Sequence, residues 1–206
     1  MPENKEFSKN RTFYGYILPT NALIVSIIGI FAAFTCVLTF IVPITIPATQ
    51  GYINLGDIGV MISGLLFGPI IGGIAGGFGS ALTDLFIAPI YAIPTLIIKG
   101  LEGFIVGFIA NPKKHHLKLN YRDFLAVIFG GLVMVFGYLI VEIVLYGFPS
   151  ALFEFLFNGT IQFGLGVSSA LIFAFVARKN IVDGLPQVFD KVFLQFNSPE
   201  ISLEDT

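Results

Sequence analysis

The sequence predicts an all-α integral membrane protein: one membrane domain over residues 1–206, a compact bundle of six transmembrane helices with the second and third short or re-entrant. Three observations predict it. The 206 residues are 55% hydrophobic and 12% charged, about half the charge of an ordinary soluble domain. Apolar segments recur from Ala22 to Ala177, and the polar stretches around them are too short to fold separately. The cations cluster between these segments, as Lys5, Lys9 and Arg11; Lys113, Lys114, Lys118 and Arg122; and Arg178, Lys179 and Lys191. Lys- and Arg-rich loops stay on the cytoplasmic side of a membrane. All three clusters are therefore expected inside, with both termini cytoplasmic, in a multi-pass protein of the cell membrane surrounded by lipid.

The first span, near 22–42, is about twenty apolar residues without a small-residue cleavage site, so it reads as a retained helix and not a signal peptide. The single Cys36 lies within it as a small packing residue. The connection from Pro43 to Leu55 falls outside. Spans near 56–68 and 70–87 follow, but Ile53 to Phe86 is only 34 residues, whereas two full crossings need about 40. They must be short, or turn back steeply at Gly68-Pro69. Gly72, Gly76 and Ser80, with Gly73, Gly77 and Ala81 beside them, form rows of small residues that let helix backbones approach closely. The fourth span lies near 92–110 and the fifth near 123–146, joined by the basic loop. Gly147 to Phe157 reads as an external connection, the sixth span lies near 157–177, and the N-terminal ten and C-terminal twenty-odd residues read as solvated ends.

A charge in a bilayer core costs roughly 2.5 to 3.5 kcal/mol on insertion scales, so the few present are functional candidates. Asp57 opens the second span, Asp84 lies near the outer end of the third, Lys99 and Glu102 lie in the fourth, and Glu142 lies in the fifth. Lys99 and Glu102 are three residues apart and share a helix face, where they either pair with each other or meet a ligand. Asp84 continues the Gly72, Gly76, Ser80 row and should face the bundle interior. Asn158 and Gln162 stand one turn apart at the start of the sixth span, at the level of Tyr52, Asn54, Tyr91 and Tyr146. Together with Asp57, Asp84 and Glu142 these groups gather at the external ends of the helices, as the wall of a pocket. The inner halves of the same helices carry no matching polar ladder for a conduction path.

Other chemistries find little support. Both histidines, His115 and His116, sit in the basic loop, so neither a Ser/His/Asp set nor a buried histidine metal site is expected, and the protein reads as no enzyme, with no catalytic residues, metal or cofactor. Gly72-Gly73-Ile74-Ala75-Gly76-Gly77 follows no strand and carries no Lys-Ser/Thr end, which argues against a nucleotide loop. No nucleic-acid partner is expected.

The runs Asn54-Leu55-Gly56-Asp57, Leu66-Phe67-Gly68-Pro69-Ile70-Ile71-Gly72-Gly73, Gly79-Ser80-Ala81-Leu82-Thr83-Asp84-Leu85 and Ile98-Lys99-Gly100-Leu101-Glu102-Gly103 resemble the substrate-binding S components of energy-coupling factor (ECF) vitamin transporters, in particular the riboflavin-type branch. The resemblance is strongest over 54–107. It implies a small membrane protein that captures a vitamin or its precursor from outside. Delivery then requires a transmembrane coupling protein and two cytoplasmic ATPases. It also implies a contact surface for that module on the first helix, where an A-x-x-x-A pattern is usual; Ala32, Ala33 and Cys36 stand there, with Cys36 or Val37 in place of the second alanine.

The residues that the resemblance and the polar pattern together offer to a ligand are Asn54, Asp57, Asp84, Tyr91, Lys99, Glu102, Glu142, Tyr146, Asn158 and Gln162. Four carboxylates against one lysine disfavour a polyanionic vitamin, because burying another carboxylate adds repulsion to its desolvation cost. A flat, neutral or cationic heteroaromatic ligand fits better, with riboflavin first and pyridoxine-like or pyrimidine precursors beside it. The alternative is a self-sufficient proton-coupled secondary transporter relaying protons through Asp84, Lys99, Glu102 and Glu142. No inverted repeat is visible to support it.

Overall fold

The structure, a computed structural model, describes residues 12–112 and 118–193. Lys5, Lys9, Arg11, Lys113, Lys114, His115 and His116, with the extreme termini, lie outside the described residues. A two-stranded hairpin, β1 (Thr12–Phe13) and β2 (Tyr16–Ile17), precedes α1 (Ala22–Ile41). Asn21 starts that helix, its Oδ1 accepting from the Ile24 N–H at 2.9 Å, which satisfies a donor the helix itself leaves free. A second hairpin, β3 (Ile44–Ile46) and β4 (Gly51–Ile53), leads into α2 (Gly56–Phe67), α3 (Pro69–Ile87), a 3₁₀ turn and α4 (Ala92–Ala110). Then come α5 (Tyr121–Tyr146), α6 (Phe148–Phe157), a π-helical turn over Asn158–Gln162, α7 (Phe163–Val176), α8 (Arg178–Gly184) and α9 (Pro186–Val192).

Among the described residues, five helical segments are long and apolar enough to cross a membrane: Ala22–Ile41, Pro69–Ile87, Pro89–Ala110, Tyr121–Tyr146 and Phe148–Val176. The sixth expected span, α2, has 12 residues, about 18 Å at 1.5 Å per residue, well short of a bilayer core. It survives at that length because it is the centre of the bundle. It contacts α1, α3, α4, α5 and α7, and each of its residues except Ile58 is buried. The shortness expected of two helices thus falls on α2 alone. α3, at 19 residues, is of spanning length.

The crowding around α2 depends on glycine. A Cβ on Gly72 would lie 2.6 Å from the Gly64 Cα and 2.8 Å from the Gly103 carbonyl, so α2, α3 and α4 meet backbone to backbone there. The Gly72–Gly77 run is therefore interior helix, and it packs. The turn from α2 to α3 is a single residue, Gly68, at φ +85°, followed by Pro69 in the first turn of α3. A side chain at Gly68 would be strained by the backbone and obstructed by the Tyr16 ring.

Two expected boundaries are corrected. The stretch 147–157, expected as a connection, is helical from Phe148: Gly147 at φ +83° ends α5, Pro149 begins the next helix, and α6 runs through the π turn into α7. The tail after Arg178, expected to be solvated, folds back under the bundle as far as Phe193. There the Phe189 ring stacks on Phe67 at 5.3 Å, Phe193 meets Tyr16 edge-on at 5.8 Å, and Tyr16 bridges to Phe193. Arg178 and Lys118 also depart from a simple cation cluster. The Arg178 guanidinium is fully buried, clamping both oxygens of Asp123 at 2.8 and 2.9 Å and donating to the Lys118 carbonyl at 2.8 Å. Asp123 itself accepts from the Asn120 N–H at 2.9 Å in the cap of α5, so the clamp ties the start of α5 to the end of α7. The β1–β2 hairpin, the α2–α3 turn, the ends of α4 and α7 and the start of α5 therefore share one end of the bundle. The β3–β4 hairpin, the starts of α2 and α4 and the end of α5 share the other.

Candidate functional site

At the β3–β4 end the helices enclose a small cavity of about 20 Å³, room for a water molecule, lined by Gly51, Tyr52, Asn54, Asp84, Tyr91, Tyr138, Glu154, Asn158 and Gln162. Each wall has a local reason. Asp84 lies one turn beyond Ser80 on the row that faces inward, and it is 4% exposed. Asn158 and Gln162 belong to the π turn, whose extra residue per turn is accommodated between α6 and α7 and shifts that stretch against the rest of the helix. Glu154, Asn158 and Gln162 follow one another at four-residue spacing, and all three are buried against the cavity. Tyr91 closes the 3₁₀ turn before α4 and stacks with Tyr146, ring centroids 6.4 Å apart, while Tyr138 lies tilted against it at 6.3 Å.

The β3–β4 hairpin covers this cavity instead of leaving it open. The Thr49 hydroxyl donates to the Glu154 carboxylate, and the Tyr91 hydroxyl donates to the Thr49 carbonyl at 3.0 Å. The Tyr52 hydroxyl donates to Asp84, and the Asn54 N–H donates to Gln162 Oε1 at 2.9 Å. Burial, with the Asp84 carboxylate beside it, holds the Tyr52 phenol well above its ordinary pKa, so it remains a donor. Gly51 lies so close to Glu154 that a side chain there would strike the carboxylate.

The structure divides the ten expected ligand-facing residues. Asn54, Asp84, Tyr91, Asn158 and Gln162 line the cavity. Tyr146 stands behind Tyr91, and Glu142, fully buried on α5, faces Glu154. Asp57, Lys99 and Glu102 do not reach the cavity: Lys99 pairs with both carboxylates, with Glu102 at 3.1 Å, as a buried triad below the site. Its Nζ lies 5.8 Å from the Tyr138 ring centre, so Tyr138 is the partition between triad and cavity. On α1, Ala33 is exposed, whereas Ala32 packs beside Gly79 and Cys36 accepts from the Thr83 hydroxyl through its carbonyl at 3.1 Å and its sulfur at 3.2 Å.

Glu154, Tyr138, Thr49 and Gly51 escaped the sequence reading. Glu154 fell in a segment taken for a loop, yet its four-residue spacing to Asn158 and Gln162 carried the signal. Tyr138 stands one turn before Glu142 and two before Tyr146 on the same stripe of α5. No comparable pattern marks Thr49 and Gly51, which sit in and beside the hairpin turn.

The sequence description of the ECF-type riboflavin transporter S component matches residues 20–180. The chain belongs to that family. It is also similar to an uncharacterized protein of Pyrococcus woesei, 44% identical over 146 residues that cover 70% of this chain and 95% of the relative. The thiamine precursor transporter HmpT of Lactococcus lactis subsp. cremoris (strain MG1363) is 33% identical over 129 residues, 62% of this chain and 71% of the relative. As an S component this multi-pass membrane protein is a vitamin-binding transporter subunit, which is not an enzyme class. Among the described residues, no three His, Cys, Asp or Glu side chains gather to hold a metal ion.

Proposed function

We propose that this S component captures a neutral or cationic nitrogen-containing heteroaromatic vitamin, or its precursor, at the site under the β3–β4 hairpin, which moves aside to admit it, on the external side of the cell membrane. The observation that carries the reading is the charge of the walls. Asp84, Glu142 and Glu154 stand in or directly behind the cavity, while the one lysine nearby, Lys99, is already held by Asp57 and Glu102. An anionic ligand would meet Asp84 and the hydrogen-bonded Glu142–Glu154 pair, with no free cation among the described residues, and its desolvation would go unrepaid. A flat ring finds Tyr52, Tyr91 and Tyr138 to stack on and Asn54, Asn158 and Gln162 to orient it.

Delivery then falls to a separate coupling protein and two cytoplasmic ATPases, since the only glycine-rich run is the packed interior of α3. The docking face we propose is the outward side of α1, where Gly29 has open space around it and Ala33, one turn on, is exposed between Ile30, Phe34 and Val37. The cytoplasmic side is the end carrying Lys118, Arg122, Lys179 and Lys191.

The family's description names riboflavin and a relative's name points to a thiamine precursor, and both ligands satisfy the charge argument. A calorimetric panel of riboflavin, pyridoxine, hydroxymethylpyrimidine, thiamine, folate and pantothenate separates them. The reading predicts tight binding within the first four and none of the last two. Binding of folate or pantothenate alone would overturn it.

A further inference from the structure

A cleft of about 290 Å³ opens between α5 and the helix that runs from α6 through the π turn into α7. Leu132, Val135 and Phe136 give it one wall from the middle of α5, and the Phe155 ring leans over it from α6, tilted against Phe136 at 5.6 Å. Phe163 closes the floor, its ring lying so near Gly131 that a side chain there would strike it. Gly159 leaves the space open. A Cβ at that position would meet nothing nearer than Val135 at 3.7 Å, so no close approach demands the glycine. The Thr160 hydroxyl turns back to the Leu156 carbonyl at 2.6 Å, and among the described residues no charged group lines the cleft.

Depth and surroundings decide what fills it. Both flanking helices are of membrane-spanning length, and Leu132 to Phe136 lie near the midpoint of the 26 residues of α5, so the cleft opens at the depth of the hydrocarbon core. Its rim continues into the lipid-facing surface through Phe136, Leu156, Ile161 and Leu165, all exposed. At that depth the bilayer supplies acyl chains, and an empty cleft would forfeit the dispersion contacts of its walls. The same turn of helix also forms the back of the vitamin site. Asn158 and Gln162 line the cavity, whereas Gly159 and Thr160 between them line the cleft. On α5 the pairing repeats: Val135 lines the cleft, and its neighbour Met134 takes the Gln162 amide at its sulfur, 3.9 Å away. An occupant of the cleft therefore bears directly on the two amides.

We propose that a phospholipid acyl chain seats in this cleft and braces the π turn, so that the vitamin site is complete only with a lipid at its back. The effect on the vitamin rests on the vitamin-binding reading; the lipid seat does not. A π turn is a rare helical form, and behind Gly159 this one meets no protein but Val135. Without the chain, Asn158 and Gln162 lose the wall that steadies their turn, and a vitamin must order both side chains as it binds. A side chain grown from Gly159 into the cleft would do the same bracing from within the protein, as would a larger one at Leu132 on the opposite wall.

The chain contains no tryptophan, so a single introduced one reports on its own surroundings. Phe155→Trp places it on the cleft wall, and Phe175→Trp, at a position 75% exposed on α7, places it on the open lipid face. The full-length protein is freed of lipid in digitonin, whose rigid ring system carries no acyl chain, and titrated with phosphatidylcholine dibrominated in mid-chain. Quenching of the cleft tryptophan should saturate at one lipid per protein and be lost on adding Gly159→Leu. Quenching of the Phe175→Trp protein should rise with the lipid-to-detergent ratio without saturating. Equal curves for the two would mean ordinary boundary lipid and overturn the seat. Absence of quenching in the cleft would also overturn it, and elution of that protein as a dimer would assign the cleft to a second copy. Calorimetry with riboflavin, pyridoxine, hydroxymethylpyrimidine and thiamine tests the brace. Whichever binds the wild type in phosphatidylcholine nanodiscs should bind roughly 10-fold more weakly in lipid-free digitonin, where two side chains must be ordered, and recover when phosphatidylcholine is added. Gly159→Leu and Leu132→Phe should bind equally with and without lipid. Gly164→Leu, at a position with open space around it but outside the cleft, should follow the wild type. Lipid-independent binding by the wild type, or lipid dependence kept in both filled variants, would overturn the brace. If none of the four binds folded wild type in either setting, the vitamin-binding reading falls, and the quenching curves still decide the seat.

Discussion

Lys99 shows how one residue's placement changes its meaning. In the sequence it is an isolated cation on an apolar helix, free to pair or to bind. Folding brings Asp57 across from α2, and the lysine is closed in with two carboxylates at 1% exposure. Removing one partner of such a buried set leaves an uncompensated charge, at about 3–5 kcal/mol. Lys99→Met should therefore lower the thermal unfolding temperature sharply, and adding Asp57→Asn and Glu102→Gln should restore much of the loss. Equal unfolding temperatures for Lys99→Met and wild type would show that the triad carries no such energy. The helical spacing made the Lys99–Glu102 pair legible beforehand. Asp57 as third member was not, because contact between α2 and α4 is a tertiary fact with no local pattern.

The elements were legible in proportion to the helix signals they carried. Ala22–Ile41, Ala92–Ala110 and Tyr121–Tyr146 fall within two residues of the apolar runs, since uninterrupted apolar length is itself the signal. Phe148–Phe157 was lost because Gly147 and Pro149 read as loop punctuation, whereas they end one helix and start the next. The β3–β4 hairpin follows Pro43, contains Pro47 and lies between two helices, so nothing in its sequence announces a cover for the cavity. Its close fit gives a prediction. Gly51→Val should abolish vitamin binding with the fold intact, because the side chain would strike Glu154; unchanged affinity in calorimetry would mean the hairpin stands clear of the ligand. The glycine contacts give another. Gly72→Val should destabilise the bundle by more than about 2 kcal/mol through overpacking at the α2–α3–α4 meeting point, while Gly29→Ala, with open space around it, should leave thermal unfolding unchanged.

At the scale of the molecule, polarity is segregated by end. The buried carboxylates and amides gather under β3–β4, the Arg178–Asp123 clamp and the α8–α9 fold-back close the other end, and apolar side chains cover the flanks. Composition and cation placement made this layout legible. The tail's fold-back was not, because Phe189 and Phe193 sit among polar residues and are buried only once Phe67 and Tyr16 are in place. The cation placement also predicts that Lys118→Cys, in a Cys36→Ser background, resists an impermeant thiol reagent in intact cells; labelling from outside would reverse the topology. Below the cavity the buried charges are closed in pairs, Lys99 with Asp57 and Glu102 and Arg178 with Asp123, so the bundle can hold a ligand at one end without offering it a polar path to the other. Uptake should therefore need the coupling module, and Ala33→Trp should abolish it without weakening ligand binding. The most direct test is accumulation of the tightest-binding radiolabelled vitamin in proteoliposomes containing this chain alone, under a proton gradient, or this chain with the ECF coupling protein, both ATPases and ATP. Ligand bound but not accumulated in the first case, and accumulated in the second, is the predicted result. Accumulation driven by the proton gradient in the chain alone would contradict it.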